Sequence, residues 1–299
     1  MASVRESLPH EDRTVQEPRQ NEIHPVVLSE IEQVNHDIKL FKLSILDREK
    51  GVKFHPGQWL DVLIPGLHKA GGFTLTSTPS LASPTHKSPY LELAVQRSNN
   101  PPAKWLWQPP PAILKSQLLV RVGGSFVWPP VDIDEREIEK IVFVAGGVGI
   151  NPLISMLSHI SATSTTPPPI QFLYSVRQSP PTTNGPSKIL FYDRLQKIVS
   201  KHPDRVNLEL FITGRQDEEG GEAEGNGEIG GAAPGVDQAV EKFHRGRITR
   251  QDLFLALGTK DTSILKKTAC FVCGPPKMTD EIVAFLGGQG ARVYCEKWW

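Results

Sequence analysis

The stretch Val144-Ala-Gly-Gly-Val-Gly-Ile-Asn-Pro152 decides how this chain is read. The apolar run 141–145 has the length of a buried strand, and residues 152–160 have the pattern of a helix. Between them Gly146, Gly147 and Gly149 let the backbone approach a bound group, while Val148, Ile150, Asn151 and Pro152 carry the chain into the helix. A helix start offers free N–H groups and the positive end of its dipole, which together suit a pyrophosphate. Asn151 and Pro152 are residue types found at helix starts. The same glycines would equally serve a tight turn with no ligand, and their spacing is not the G-x-G-x-x-G of the Rossmann fingerprint.

Downstream, strand patterns at 170–176, 206–213 and 269–273 alternate with helix patterns at 189–200, 249–257 and 278–286. That rhythm predicts a parallel sheet covered by helices. Residues 161–169 read as a loop, and 216–240, rich in Gly and Glu, as a disordered insert that buries too little apolar surface to order itself. Phe271-Val-Cys273-Gly274-Pro275-Pro276 closes a late strand, at the end where open α/β sheets bind ligands. Gly274 and Pro275 would turn the chain there and leave the Cys273 thiol near a bound ring; an ordinary Gly-Pro turn reads the same way. The ending Tyr294-Cys-Glu296-Lys-Trp298-Trp299 carries two tryptophans, expected either to cover a flat cofactor or to fill a groove. Arg177 and Arg215 each follow a strand, where a cation would meet an extra phosphate on an adenosine ribose or simply lie in solvent.

Upstream the pattern is β-rich. Candidate strands fall at 25–33, 37–46, 59–64, 71–78, 90–97 and 118–122, punctuated by Gly and Pro as in a sandwich or barrel. In the second of these, Phe41, Leu43 and Ile45 would share one face and Lys42 and Ser44 the other. Residues 1–22 contain five acids and no apolar core, so they fit neither a signal nor a transit peptide and read as a disordered tail. The chain therefore divides into a domain at 23–135 and another at 138–299. Its formal net charge of +0 argues against nucleic acid as a main partner, and no apolar run approaches the roughly 20 residues that cross a bilayer. Cys270, Cys273 and Cys295 make no zinc or iron–sulfur set, so no metal is expected, and Cys270 reads as a structural thiol in a buried strand.

These motifs in this order resemble the ferredoxin–NADP reductase superfamily, and within it the oxidoreductase NAD-binding domain-containing protein 1 group. The likeness rests on Gly71-Gly-Phe-Thr-Leu-Thr-Ser-Thr-Pro79, Asn100-Pro-Pro-Ala-Lys-Trp105, Arg121-Val-Gly-Gly124, the stretch Gly146 to Pro152, and Glu296-Lys-Trp-Trp299. It covers about residues 25–299 less the insert. The resemblance implies an antiparallel β-barrel that binds FAD or FMN, followed by an α/β domain that binds a nicotinamide dinucleotide. It implies electron transfer from NAD(P)H through FAD to a separate acceptor, protein or small molecule. The alternative is a catalytically weakened descendant that binds a dinucleotide as a sensor or scaffold. The superfamily motif R-x-Y-S/T falls on Gly71 to Thr74, which implies that Phe73 packs on the flavin ring and Thr74 lies near its N5. Gly71 stands where the motif has a phosphate-binding arginine, and Arg97, ending the next strand, is placed to substitute. In the second domain the resemblance implies that Cys273, Gly274 and Pro275 border the nicotinamide. It places Glu296 near the flavin, as proton relay or as a cap on a hydrogen-bond network, and Trp298 or Trp299 where the nicotinamide must displace it. It leaves a mitochondrial and a cytoplasmic location both open.

Overall fold

A computed structural model describes residues 10–177, 188–214 and 241–297. The described residues separate into two compact units, 10–128 with Lys297, and 129–296. Among the described residues no helix is long and apolar enough to cross a membrane.

The first unit contains strands β1 (His24–Gln33), β2 (Ile38–Ile45), β3 (Trp59–Leu63), β4 (Gly71–Thr74), β5 (Tyr90–Gln96) and β6 (Gln117–Gly123), with short helices α1 (His10–Arg13), α2 (Pro101–Leu106) and α3 (Pro110–Ile113). The strands form one antiparallel sheet in the order β4-β3-β6-β1-β2-β5. Where a barrel was expected, the two edge strands are joined by one bridge, Leu75↔Leu93. Burial alternates along β2 as its sequence predicts, with Phe41, Leu43 and Ile45 inside. They pack with Leu60 and Val62 of β3 and with Leu118, Val120 and Val122 of β6. Burying each such side chain contributes about 1.5–3 kcal/mol.

Residues 10–22, expected to be disordered, are ordered. Arg19 bridges to Gly123, and the Gln20 N–H donates to Val122 O. His10 is buried, its ring edge-on to Trp59 at 4.6 Å, and the Arg19 guanidinium lies 4.9 Å over the same indole. Trp59 is itself seated under Gly123 and Gly124, where a Cβ would come within 2.5 and 2.6 Å of the indole. The physical reason is polar rather than apolar: the tail answers a buried acid, Asp61, which hydropathy alone does not flag.

The second unit contains β7 (Lys140–Gly146), β8 (Ile170–Arg177), β9 (Val206–Thr213), β10 (Glu241–Arg245), β11 (Thr268–Cys273) and β12 (Arg292–Glu296). Its helices are α4 (Ile150–Thr163), α5 (Tyr192–Lys201), α6 (Arg250–Leu257), α7 (Thr262–Leu265) and α8 (Pro276–Gly288). All its ladders are parallel, in the order β10-β9-β8-β7-β11-β12. Every residue of β11 is buried, and all of β7 beyond Lys140, which is why these strands read as unbroken apolar runs. Helix α4 runs three residues into the stretch expected to be loop. The expected disordered insert lies outside the described residues, as do Arg215, Trp298 and Trp299.

Candidate functional site

The sheet of the second unit reverses its winding beside β7. The chain steps outward through β8, β9 and β10, then returns to the other flank of β7 with β11 and β12. Neighbouring strands at such a reversal open a crevice at their carboxyl ends. Here that end gathers the turn after β7 and the turn after β11. Register sets Cys273 beside both Ala145 and Glu296, and Gly146 beside Ser175. Arg177 lies two residues farther along β8 and is exposed. Gly146, Cys273, Gly274, Glu296 and Arg177 thus share one sheet edge with the start of α4, where Ile150, Asn151 and Pro152 form the first turn.

The glycines of this edge have separate reasons for being glycine. A Cβ on Gly146 would stand 2.7 Å from both Met278 Sδ and Pro275 Cδ. One on Gly149 would stand 2.2 Å from the Cys273 carbonyl oxygen, and one on Gly274 3.1 Å from Gly146 Cα. These three lock the two turns together. Gly147 differs: its φ is +55°, in the left-handed region, and a Cβ there meets nothing within 4 Å. It is the exposed residue of the turn, with half-buried Val148 beside it. The Thr279 hydroxyl donates to Gly274 O at 3.1 Å and ties the second turn to α8.

Cys273 and Cys270 are both 0% exposed. Burial pushes the Cys270 thiol up to about 12, only partly opposed by Lys140, in keeping with a structural role. At the far strand, Tyr294 donates to Asp132 at 2.8 Å, and Arg292 reaches the same carboxylate at 3.2 Å. Burial first, and then the hydrogen bond to Asp132, raise the Tyr294 phenol above its ordinary range. A cavity of about 690 Å³ sits elsewhere on this sheet, near the starts of β8 and β9, and its polar side chains bond one another, as in Gln171 with Asn207 and Glu209 with His244.

In the first unit, Phe73 is half-buried and Thr74 buried, on opposite faces of β4. A Cβ at Gly71 would fall 2.5 Å from both the Phe73 ring and Pro102 Cβ. The place of the motif arginine is therefore closed. Helix α2, which follows, begins with Pro101 and Pro102, neither of which has an N–H to offer. Continuing the Leu75↔Leu93 pairing by two residue pairs beyond Phe73 and Val95 would set Arg97 opposite Gly71. Arg97 is present, its guanidinium 5.6 Å over the Trp107 ring.

One cluster escaped sequence reading. Asp61, 0% exposed, accepts from Arg19 Nε (2.9 Å) and from Arg121 Nε (3.0 Å) and Nη2 (2.7 Å), and its Oδ1 lies 3.0 Å from His10 Nε2. Burial opposes its charge, yet the bonds from His10, Arg121 and Arg19 hold its carboxyl at about 2. The signal was a lone acid inside the apolar strand Trp59-Leu-Asp-Val-Leu63.

Comparison with known proteins bears on the fold that carries this edge. Residues 138–285 match the family model described as "Ferric reductase NAD binding domain". The chain is 28% identical over 301 residues to the Danio rerio protein named "Oxidoreductase NAD-binding domain-containing protein 1", covering 97% of each. Among solved structures it is similar to the cytochrome b5 reductase domain of Ulva prolifera nitrate reductase (TM-score 0.61, 16% identity, 91% of this chain and 97% of that one). It is similar also to the flavohem-like FAD/NAD binding domain of a Vibrio cholerae nitric oxide dioxygenase (TM-score 0.62, 14% identity, 91% and 97%). At these identities the structures speak for the fold.

Proposed function

We propose, because residues 138–285 match a ferric reductase NAD-binding domain, that this chain is an NAD(P)H-linked oxidoreductase whose electrons pass by way of a flavin to a separate acceptor. The observation that carries the reading is the sheet edge at the β7/β11 reversal, where an open glycine turn, a helix start, Cys273 and Glu296 meet. The Gly147–Val148 turn and the N–H groups opening α4 receive the pyrophosphate of the dinucleotide. Gly274 and Pro275 form the neighbouring wall, and Cys273, through its main chain packed on Gly149, positions that wall against the nicotinamide. Arg177 meets the ribose end and favours NADPH when it pairs with a 2′-phosphate. Glu296 holds or passes a proton at its carboxylate.

A flavin, when bound, supplies the chemistry that turns a hydride into single electrons. Phe73 and Thr74 are the ring-side candidates by their place in β4, and the first unit is read as the barrel that holds them. The Vibrio cholerae relative, described as an FAD/NAD binding domain, supports this part of the reading. The closed position at Gly71 favours a second reading, a dinucleotide-binding sensor or scaffold. Anaerobic mixing of flavin-loaded protein with NADH or NADPH separates the two. Bleaching of the flavin that matches nicotinamide oxidation is expected; a flavin that stays oxidised with both nucleotides would favour the sensor.

A further inference from the structure

In the first unit two cations gather over one indole. Lys39, on β2, is only 6% exposed, yet among the described residues it has no carboxylate partner. Its Nζ lies 4.7 Å over the Trp107 ring and donates to Gln108 O at 3.4 Å. Arg97 lies over the same ring at 5.6 Å and likewise has no carboxylate partner among the described residues. The Trp107 Nε1–H is buried and has no acceptor among the described residues.

Two of these features, the buried Lys39 and the buried Trp107 N–H, are costly alone, whereas Arg97 is exposed. A buried ammonium is seldom left unpaired, because desolvation penalises its charge. Burial, and then the nearby Arg97 charge, already lower the Lys39 pKa. A buried N–H with no acceptor forfeits about 1–3 kcal/mol. Cation–π contact offsets part of this, about 0.5–2 kcal/mol per pair, but gives the indole N–H nothing. One anion would satisfy all three groups.

We propose that Lys39, Arg97 and Trp107 form a phosphate-binding site that takes the phosphate of a flavin nucleotide. Lys39 from β2 and Arg97 from just past β5 both lie over the indole of Trp107, which follows α2. A phosphate accepts all three, since it carries several acceptor oxygens and full negative charge. The location supports the assignment. Pro102, two residues into α2, fills the space above Gly71, and Arg97 falls opposite Gly71 when the β4/β5 register is continued. On that register Arg97 would supply the cation missing from position 71. FMN and FAD both present phosphate; riboflavin does not. The ligand assignment rests on the flavin reading above, whereas the anion site itself does not.

The test is a titration of the full chain with riboflavin, FMN and FAD, followed by tryptophan fluorescence and calorimetry, with inorganic phosphate as a fourth probe observed by phosphorus NMR. FMN or FAD should bind at least about tenfold more tightly than riboflavin, since a charge-assisted bond to phosphate contributes about 1.5–3 kcal/mol. Whichever of the two binds more tightly identifies a monoester or a pyrophosphate as the preferred group. Arg97→Gln with Lys39→Met should erase that preference and leave riboflavin affinity unchanged, and Trp107→Phe, which keeps the ring and deletes the N–H, should weaken it. Should the double variant unfold, Trp107→Phe alone carries the same comparison. Equal affinity for all three flavins, or a preference that survives these substitutions, would overturn the site. Inorganic phosphate bound by the wild type and lost in the variants, with no flavin bound, would leave the anion site standing and remove the flavin reading.

Discussion

Replacing Gly149 by alanine tests whether the glycines at the sheet edge serve packing or ligand approach. The new Cβ would stand 2.2 Å from the Cys273 carbonyl oxygen and 2.5 Å from its carbon. Close carbon–oxygen contacts lie at about 3.3–3.6 Å, so the two turns must part by about 1 Å. Both sides of the contact are backbone and have no rotamer through which to yield. The cost should therefore sit near the top of the usual range for overpacking, about 3 kcal/mol. For a unit the size of Pro129–Glu296, that corresponds to a Tm lower by roughly 6–12 °C. Gly147→Ala is the contrast. Its methyl meets no atom, so the left-handed φ alone costs about 1–2 kcal/mol. That methyl points into the open space in front of α4, so NAD(P)H should bind about tenfold more weakly, a loss of about 1.4 kcal/mol. Calorimetric melting of both variants and titration with NADH and NADPH read the two effects separately. A Gly149→Ala protein that melts with the wild type but has lost nucleotide affinity would refute the packing argument.

Other consequences can be measured alongside. Asp61 is held down from 3.8 to about 2, so its contribution is complete above its unfolded pKa and is lost as pH falls from about 4 towards 2, on the order of 2 kcal/mol; denaturant melts across that window should show the loss in the wild type and not in Asp61→Asn. Gly72→Ala places a Cβ 2.1 Å from the His10 ring, so it should cost about 1–3 kcal/mol in the wild type and much less when combined with His10→Ala, a coupling that a double-mutant cycle detects and strict additivity would deny. Thr249→Ala removes the capping box that opens α6 and should cost about 1 kcal/mol in a thermal melt. Arg177→Ala should raise KM for NADPH about tenfold and leave that for NADH unchanged; equal effects on both would deny Arg177 a role in reading the 2′-phosphate.

The parallel sheet was legible because its central strands are buried on both faces and so read as continuous apolar runs flanked by amphipathic helices. The edge strands β10 and β12 were not. β12 is half-buried throughout, and its residues Arg292 and Tyr294 look outward to Asp132. Neither strand has the apolar density on which a sequence reading depends. The turn after β7 was identified from its glycines, but their division of labour was invisible, because a sequence shows that Gly149 is small and not that the Cys273 carbonyl lies 2.2 Å from where its Cβ would be. The ordered segment 10–22 was missed for a similar reason. Its attachment depends on one buried carboxylate that gathers His10, Arg19 and Arg121 from distant positions. Arg97 was noticed as a spare cation. Its companions Lys39 and Trp107 became visible only once β2, β5 and the end of α2 were brought together.

The most direct measurement is calorimetric titration of NADH and of NADPH into the wild-type chain and into Gly147→Ala, the one substitution at the edge that adds a methyl to open space. Saturable binding of at least one nucleotide, weakened in the variant while its melting temperature drops by roughly 2–8 °C, is the predicted result. Binding of neither nucleotide, or equal binding by both proteins, would show that the crevice at the β7/β11 reversal is not where this chain takes its reductant.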